Sequence, residues 1–378
     1  MSDADFRGLS KIKIAASNEN RLKWSEGMSF TVPDEIAQAL KVYSDNDGSI
    51  RIPENLKLTP VSINHSEYRL KRAYCHEKPF QSSTPFSYQR IPSFIRDFVA
   101  KTMGKNRLKH KNKWARYPDW PLDLSCDFLS DLFCQEDAKS IPGKTPVILS
   151  HDLDTAEGLA NCVKYFLPLE EKYGFHSVNY IVAKGWEIDH RLLTELRDRG
   201  HEVGVHGYDH SNKTAFMSAQ EREKRISEFK PLIDRYGVTG YRSPSLLSTP
   251  GLLDNLSKYF RYDSSIPSSG GLFPVPNYGC ASARPFRIGN ILEIPLSLPR
   301  DGSMVFLGFR PDQIADIWID SSRSIAASGG AVVLLTHCEK RFSGNTPMLE
   351  AYEKYLQHVS SDDTYQVYKA EEILKLYQ

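Results

Sequence analysis

Two histidines separated by three residues, His206 and His210, stand in the stretch HEVGVHGYDHSNKT. Earlier in the chain, Asp152 and Asp154 stand in SHDLDT. Two imidazoles and one carboxylate form a common ligand set for zinc, cobalt, nickel or ferrous iron. Three protein ligands leave positions open for water and substrate, as in catalytic metal sites. The two histidines and one of the two aspartates therefore predict a catalytic metal site.

The spacing of the two aspartates supports this interpretation. Residues two apart in a strand point to the same side, so Asp152 and Asp154 would project together. Neighbouring carboxylates repel each other unless a cation or a proton lies between them. Taken alone, the spacing of His206 and His210 also fits two surface or capping histidines. The carboxylate pair at another strand end favours the metal site.

The elements that must position these residues alternate between strands and helices. Strands are predicted at PVILSHDLD, VNYIVA, HEVGVHG, ILEIPLSLP and AVVLLTH. Helices are predicted at HRLLTELRDRG, SAQEREKRISEFKPLIDRYG and PDQIADIWIDSSRSIAASGG. This alternation predicts an α/β fold with a mostly parallel sheet, open or closed into a barrel. In such folds chemistry gathers at the carboxyl ends of the strands, where the aspartates, His206 and a further histidine, His337, fall.

Composition excludes several classes of protein. The chain has 378 residues, with 48 Lys and Arg against 47 Asp and Glu, a net charge of +1. That balance and the lack of a recognised motif disfavour nucleic-acid binding. No apolar run is long enough for a transmembrane segment, and the N-terminal stretch lacks the core of a signal peptide. The six cysteines contain no CxxC pair and are typical of reduced thiols, so a cytoplasmic location is expected.

The character of the sequence changes near residue 140. Residues 1–140 are predicted to be an N-terminal accessory region of unknown role, and residues 141–378 the catalytic domain. The segment 101–116 holds seven Lys and Arg, with Trp114 inside it and Trp120 nearby. Such a segment is either a solvated face or a contact for a phosphate-linked sugar. Neutralising Lys109, Lys111 and Lys113 would distinguish the two.

The ordered motifs resemble the polysaccharide deacetylase family, also called NodB-homology or carbohydrate esterase family 4. The resemblance spans roughly residues 145–375 and is carried by HDLDT, HEVGVHGYDH, GYRSP, YDSS and LLTH. It implies a distorted (β/α) barrel and metal-dependent hydrolysis of N-acyl or O-acyl groups on sugars. The resemblance makes Asp152 the catalytic base, Arg242 its partner and His337 the general acid. The implied metal ligands are Asp154, His206 and His210.

Departures from the family pattern lie around the implied substrate pocket. A leucine separates the two aspartates, and Ser245 stands where an aromatic residue often follows the Arg-x-Pro motif. The resemblance places Ser243, Pro244 and Asp263 at the substrate. Asp263, in a YDSS motif without the usual tryptophan, carries over only weakly as the residue that orients the acid histidine.

The sequence thus predicts a metal-dependent carbohydrate N-deacetylase, with zinc the most expected ion. The expected substrate is an acylated sugar, linked to a nucleotide or a lipid, in lipopolysaccharide or capsule biosynthesis. One alternative is an inactive family member that binds sugar or metal. Another is a non-haem iron oxygenase, which uses the same ligand types, although the strand–helix alternation disfavours it. The oligomeric state is left open.

Overall fold

The computed structural model describes residues 143–270 and 279–377 without interruption. N-terminal to these it describes only shorter segments, namely residues 12–14, 21–24, 29–31, 49–50, 74–75, 78–83, 91–109, 120–124 and 126–127. Trp114 and the basic residues after 109 lie outside the described residues. The division of the chain at residue 140 stays a prediction.

Four short strands near the N-terminus form an antiparallel sheet of their own. They are β1 (Ile12–Ile14), β2 (Arg21–Trp24), β3 (Ser29–Thr31) and β4 (Ser49–Ile50). Their order in the sheet is β3-β2-β1-β4. No predicted site residue lies in this sheet.

A second, larger sheet carries the site. Its strands are β5 (Thr145–Leu153), β6 (Val178–Ile181), β7 (Glu202–Val205), β8 (Gly240–Tyr241), β9 (Tyr262–Asp263), β10 (Phe286–Ile288), β11 (Ile291–Glu293), β12 (Val332–His337) and β13 (Tyr365–Val367). The order is β10-β11-β9-β8-β7-β6-β5-β12, and β13 also pairs with β5. Every pairing is parallel except that of β10 with β11.

The register brings the predicted site residues to one edge of this sheet. Asp152 of β5 lies opposite His337 of β12 on one side and Tyr180 of β6 on the other. All nine residues of β5 are buried. Its near-continuous apolar sequence is the pattern expected of a parallel strand covered on both faces.

The sheet curls until the chain after β11 reaches β12. The predicted strand ILEIPLSLP is shorter than expected, because β11 ends at Glu293 and Pro295 has no N–H to donate to a ladder. Beyond it the chain stays extended, and the Leu298 N–H donates to the Val333 carbonyl of β12 over 3.1 Å. Ser297 Oγ also donates to the Ala331 carbonyl over 2.8 Å. The expected distorted (β/α) barrel is thereby confirmed.

Helices surround the larger sheet. They are α1 (Phe80–Ser83), α2 (Ser93–Lys109), α3 (Ala156–Asn161), α4 (Leu167–Lys172), α5 (His190–Asp198), α6 (Ala219–Ser227), α7 (Lys230–Tyr236), α8 (Pro250–Leu256), α9 (Asp301–Leu307), α10 (Pro311–Ser328), α11 (Thr346–Ser361) and α12 (Ala370–Leu376). A π-helical turn, Cys162–Phe166, joins α3 to α4. Within the described part of the chain, no helix combines the length and apolar character needed to span a bilayer.

Local sequence explains where several helices begin and end. A capping box at Ser218 and Glu221 opens α6, and Pro311 opens α10, which ends at Gly329. The stretch from Ser218 to Gly237 is not one helix as its periodicity suggested. Pro231 removes the N–H that would continue the ladder, so the chain breaks between α6 and α7.

The apolar core has two layers that follow the alternation of side chains along the strands. Val147 and Leu149 of β5 pack under the surrounding helices with Trp318 of α10. Ile148 points the other way, into the barrel, where it joins Tyr262 and other residues from across the sheet. Asp152 has the same parity as Ile148, so its side chain points into the barrel at its carboxyl-terminal mouth.

Candidate metal and catalytic site

The loop after β7 turns sharply enough to bring its two histidines together. Gly207 has φ of +69° and His210 has φ of +52°, both in the left-handed region. The rings of His206 and His210 meet edge to face, with centroids 5.2 Å apart. The three residues between His206 and His210 therefore form a loop and not a helical turn.

Asp154 lies between these two rings. Its Oδ1 is 3.4 Å from Nε2 of His206 and 3.4 Å from Nε2 of His210. The candidate ligand atoms of the three residues all lie within 4.8 Å of one another. Among the described residues this is the one cluster of three or more such side chains that could hold a metal ion.

The hydrogen bonds around this cluster leave acceptors facing each other. His206 Nδ1 lies 3.1 Å from the Arg242 carbonyl, which can only accept, so Nδ1 carries the hydrogen and Nε2 is an acceptor. Burial also lowers the pKa of His206, which favours the neutral ring. Asp154 Oδ1 is buried and has no hydrogen-bond partner among the described groups. A divalent cation would satisfy these atoms, so the residues fit a metal.

Asp152 lies beside this cluster and is hydrogen-bonded to an arginine, Arg242. Its Oδ1 accepts a hydrogen bond of 3.0 Å from Arg242 Nη1, and its Oδ2 lies 3.5 Å from His206 Nε2. Burial alone would raise the pKa of Asp152, but His206 and Arg242 outweigh it and hold the pKa below its usual range. Asp152 is therefore an ionised carboxylate with one oxygen directed towards the candidate metal position.

Arg242 itself is fully buried and well supplied with partners. It donates to Ser150 Oγ over 2.8 Å, and to both the carbonyl and Oγ of Ser264 over 3.0 Å. Its guanidinium lies 4.2 Å from the centroid of the Tyr180 ring. These contacts fix the plane of the guanidinium and so the direction of the Asp152 carboxylate.

His337 enters from β12, on the other side of Asp152. Asp301, the first residue of α9, accepts from its Nδ1 over 2.7 Å and from its backbone N–H over 2.7 Å. Burial opposes protonation of His337, but the charge of Asp301 and this hydrogen bond outweigh it, raising its pKa to about 9. The ring therefore carries a proton at neutral pH and can act as an acid.

Comparison with known proteins identifies the domain that carries this geometry. Residues 139–261 match the family model for polysaccharide deacetylase. These residues make up about a third of the chain, and over them the chain is similar to that family. A relative described as a peptidoglycan deacetylase, from Helicobacter pylori, is 24% identical over 225 residues, which cover 52% of this chain and 77% of that protein.

Solved structures share the fold of this part of the chain. A Mycobacterium smegmatis protein described as a polysaccharide deacetylase has a TM-score of 0.52 at 20% identity, covering 63% of this chain and 92% of that one. A Puue allantoinase has a TM-score of 0.51 at 16% identity, covering 68% of this chain and 97% of that one. At these identities the likeness establishes the fold alone.

Asp301 is a residue of the candidate site that the sequence did not reveal. The weak expectation that Asp263 orients His337 is wrong, because Asp301 holds that position. Asp263 is instead buried at the end of β9, where it accepts from Ser265 Oγ over 2.6 Å and lies opposite Glu293 of β11. Burial raises the pKa of both Asp263 and Glu293. The two acids form a buried carboxyl pair where β9 and β11 lie side by side.

Glu339 is a second residue beside the site that the sequence did not reveal. It is buried beyond the end of β12 and accepts from Thr155 Oγ1 over 2.8 Å, next to Asp154 in the chain. Burial, and then the charge of Asp154, raise its pKa to about 7. Its position two residues after His337 was the only sequence signal. Glu339 adds an acidic group behind the loop that carries Asp154.

The other predicted residues have mainly backbone roles in the structure. The Ser243 N–H donates to Ser265 Oγ over 2.8 Å, and Pro244 packs against Gly207. Their contact with substrate stays a prediction. His151, which precedes Asp152 in β5, points away from the site, and its ring lies 2.7 Å from Thr336 Oγ1 and 2.6 Å from Glu170 Oε1.

Replacing Gly207 by alanine is expected to destabilise the loop that carries both histidines. An alanine there would have φ of +69°, and its Cβ would lie 2.4 Å from Cδ of Pro244. The left-handed backbone costs about 1–2 kcal/mol, and the overlap should add about 1–3 kcal/mol. Urea unfolding would measure the loss, and a cobalt titration would show weaker binding.

Gly237→Ala is the matched control for this substitution. Gly237 also has a left-handed backbone, with φ of +67°, but no described atom lies within 4 Å of its Cβ position. Gly237→Ala should therefore lose only the stability that the left-handed backbone costs, and it should bind cobalt normally. Equal losses of stability and equal cobalt affinities in the two variants would show that the contact with Pro244 does not position the histidines.

Proposed function

We propose that this chain is a metal-dependent hydrolase that removes an N-acyl group, most readily acetyl, from a sugar. One observation carries the proposal: a three-ligand cluster of Asp154, His206 and His210 lies beside an unshared carboxylate, Asp152, and a protonated imidazole, His337. Amide hydrolysis needs a base to activate water and an acid to protonate the departing nitrogen. The family assignment supports this reaction class.

The roles of the residues follow from their contacts. A divalent cation bound by Asp154, His206 and His210 would act as a Lewis acid towards the acyl carbonyl and the attacking water. Asp152 takes the proton from that water, and Arg242 keeps its carboxylate ionised and directed into the site. His337 gives its proton to the amide nitrogen as the C–N bond breaks, because an amine leaves readily only when protonated. Asp301 holds the His337 ring for that transfer.

A cavity of about 30 Å³ beside Arg300, the residue before Asp301, is proposed to border the position of the sugar. Its lining includes Trp120, Leu246, Leu298, Arg300 and Ser303. Trp120 comes from the N-terminal region and packs against Phe309, with ring centroids 5.6 Å apart. An indole face beside a few polar groups is a common setting for a sugar ring. The N-terminal region would in this way contribute to substrate choice.

The proposed substrate class is an N-acetylated sugar carried on a nucleotide or a lipid phosphate, and zinc the proposed ion. The basic character of α2, where Lys101 and Lys105 are exposed, supports a phosphate-bearing substrate. The Helicobacter pylori relative, named a peptidoglycan deacetylase, supports N-acetylated amino sugars as the acyl carriers.

Acetate release is the direct test. The zinc- or cobalt-loaded chain should release acetate from at least one N-acetylated sugar nucleotide or N-acetylglucosamine oligomer, and a chelator should stop it. Allantoin belongs in the panel, because the fold is shared with an allantoinase. If loaded protein releases no acetate from any acetylated sugar, the proposal is wrong. An inactive sugar-binding protein would bind the oligomers without turnover.

A further inference from the structure

Helix α2 carries an exposed apolar face beside the mouth of the barrel. The exposed large apolar residues of the described chain are Ile91, Phe94, Ile95, Phe98, Val99, Met103 and Leu376. All but Leu376 lie on α2 or just before it. Phe94 and Phe98 are 72% and 73% exposed. Two phenylalanines this exposed, one turn apart on a single helix, mark an interaction surface.

The opposite face of α2 packs on α9 and pairs with the loop after β12. Ala100 and Gly104 are buried, and a Cβ added to Gly104 would lie 2.3 Å from the carbonyl oxygen of Phe306 in α9. Asp97 lies 3.5 Å from Arg341, in an ion pair with the loop after β12. The apolar arc is therefore presented outward in a fixed orientation.

This attachment lies close to the site. The Arg341 guanidinium stacks 4.4 Å from the Phe342 ring centroid, and that ring is 4.9 Å from the ring of His337. Helix α9, on which Gly104 packs, begins with Asp301, the partner of His337. A surface bound to α2 would thus lie beside the opening through which substrate must enter.

The charges of α2 indicate what binds there. Its 17 residues contain Arg96, Lys101, Lys105, Arg107 and Lys109 against a single acid, Asp97. Lys101 and Lys105 are exposed, and helical spacing places them on the same face as Phe94 and Phe98, further along the helix. A basic helix with phenylalanines on its outer face is typical of a segment that lies in the interface of an anionic membrane. The same charges would repel each other across a contact between two copies of the chain.

We propose that α2 docks the protein on an anionic lipid surface, through Phe94 and Phe98 together with Lys101 and Lys105 on the same face. Docking there would bring the barrel mouth to sugars carried by membrane lipids. This second step rests on the proposed deacetylase function, whereas the docking itself does not.

Vesicle co-sedimentation of the full chain tests the docking. The protein should bind vesicles of phosphatidylethanolamine with phosphatidylglycerol, and it should bind phosphatidylcholine vesicles less well. Its binding to the anionic vesicles should weaken as the salt concentration rises. The double variant Phe94→Ser, Phe98→Ser should partition about tenfold more weakly for each phenylalanine lost. Lys101→Gln with Lys105→Gln should weaken binding to the anionic vesicles by about fivefold per lysine. Leu376→Ser, at an exposed apolar residue of α12, is the matched control and should bind normally.

Three outcomes would overturn the inference. They are absence of vesicle binding by the unaltered chain, equal binding by the double phenylalanine variant, and a dimer in solution that this variant converts to monomer without any vesicle binding. Acetate release from a water-soluble acetylated sugar separates docking from catalysis, since the double variant should keep that activity. Loss of vesicle binding with retained acetate release in the variant would support docking. Vesicle binding without acetate release by the unaltered chain would leave docking standing and refute the deacetylase function.

Discussion

Asp152→Asn is expected to lower the rate of acetate release by about 10³-fold while leaving the bound metal unchanged. Asparagine keeps the shape of the side chain and can still contact Arg242, but it cannot accept a proton from water at neutral pH. The three ligand side chains, Asp154, His206 and His210, stay intact in this variant. The measurement is kcat for acetate release together with elemental metal content, made on the same preparation.

Asp154→Asn is the matched control, because it is the same chemical change two residues away. Asp154 Oδ1 lies 3.4 Å from both histidine nitrogens, so this variant should lose metal and regain part of its activity in excess zinc or cobalt. Loss of metal from Asp152→Asn to the same extent would mean that Asp152 is a ligand, and the base would have to be sought elsewhere.

The sequence predicted the parts of the site that follow directly from strand ends. Asp152, Asp154, His206 and His337 each stand at or just after an apolar run, and parallel strands bring their carboxyl ends to a common edge. The structure places all four at that edge. The apolar start of β5 is consistent with its burial on both faces, because parallel strands covered on both faces are rich in apolar residues.

Asp301 could not be predicted in this way. It reaches His337 because α9 packs beside β12, and no spacing or periodicity connects two residues that are separated by another whole helix, α10. Asp263 stands in a motif that resembles the family pattern, but the register of β9 with β11 turns it towards Glu293. Contacts of this kind depend on tertiary packing, which local sequence does not encode.

Backbone detail was the other limit. The spacing of His206 and His210 does not specify the backbone between them, and the structure uses left-handed conformations at Gly207 and His210. The glycine signalled freedom at its own position only. For a histidine, such a conformation costs free energy that surrounding contacts must offset. Here Pro244 packs against Gly207, and His206 Nδ1 is hydrogen-bonded to the Arg242 carbonyl. The segment after β8 therefore supports the histidine loop after β7.

This arrangement links the base to the ligands through Arg242. Its side chain holds Asp152, and its backbone carbonyl fixes the tautomer of His206. A buried arginine left without its carboxylate is costly, so removing Asp152 altogether would cost about 3–5 kcal/mol of stability. Asparagine at position 152 is therefore the informative change, since it separates chemistry from folding.

Turnover is expected to fall as the pH rises through about 9, the pKa of His337, because the general acid then loses its proton. Below that pH the imidazolium is present and this limb of the profile is flat, and above it the rate should fall about tenfold per pH unit. Asp301→Asn removes the carboxylate that raises the pKa, so the alkaline limb should move to lower pH. A pH profile of kcat from neutral to strongly alkaline conditions measures both effects.

Ser343→Ala provides the control for this shift. Ser343 Oγ donates to Asp301 Oδ2 over 2.6 Å, so its loss disturbs the same carboxylate without removing its charge. The alkaline limb of Ser343→Ala should therefore stay close to that of the unaltered chain. His337→Gln should lose about 10²–10³-fold in rate and show no alkaline limb from this group. If Asp301→Asn keeps an unchanged profile, the charge of Asp301 does not set the protonation of His337, and the acid in this reaction is another group.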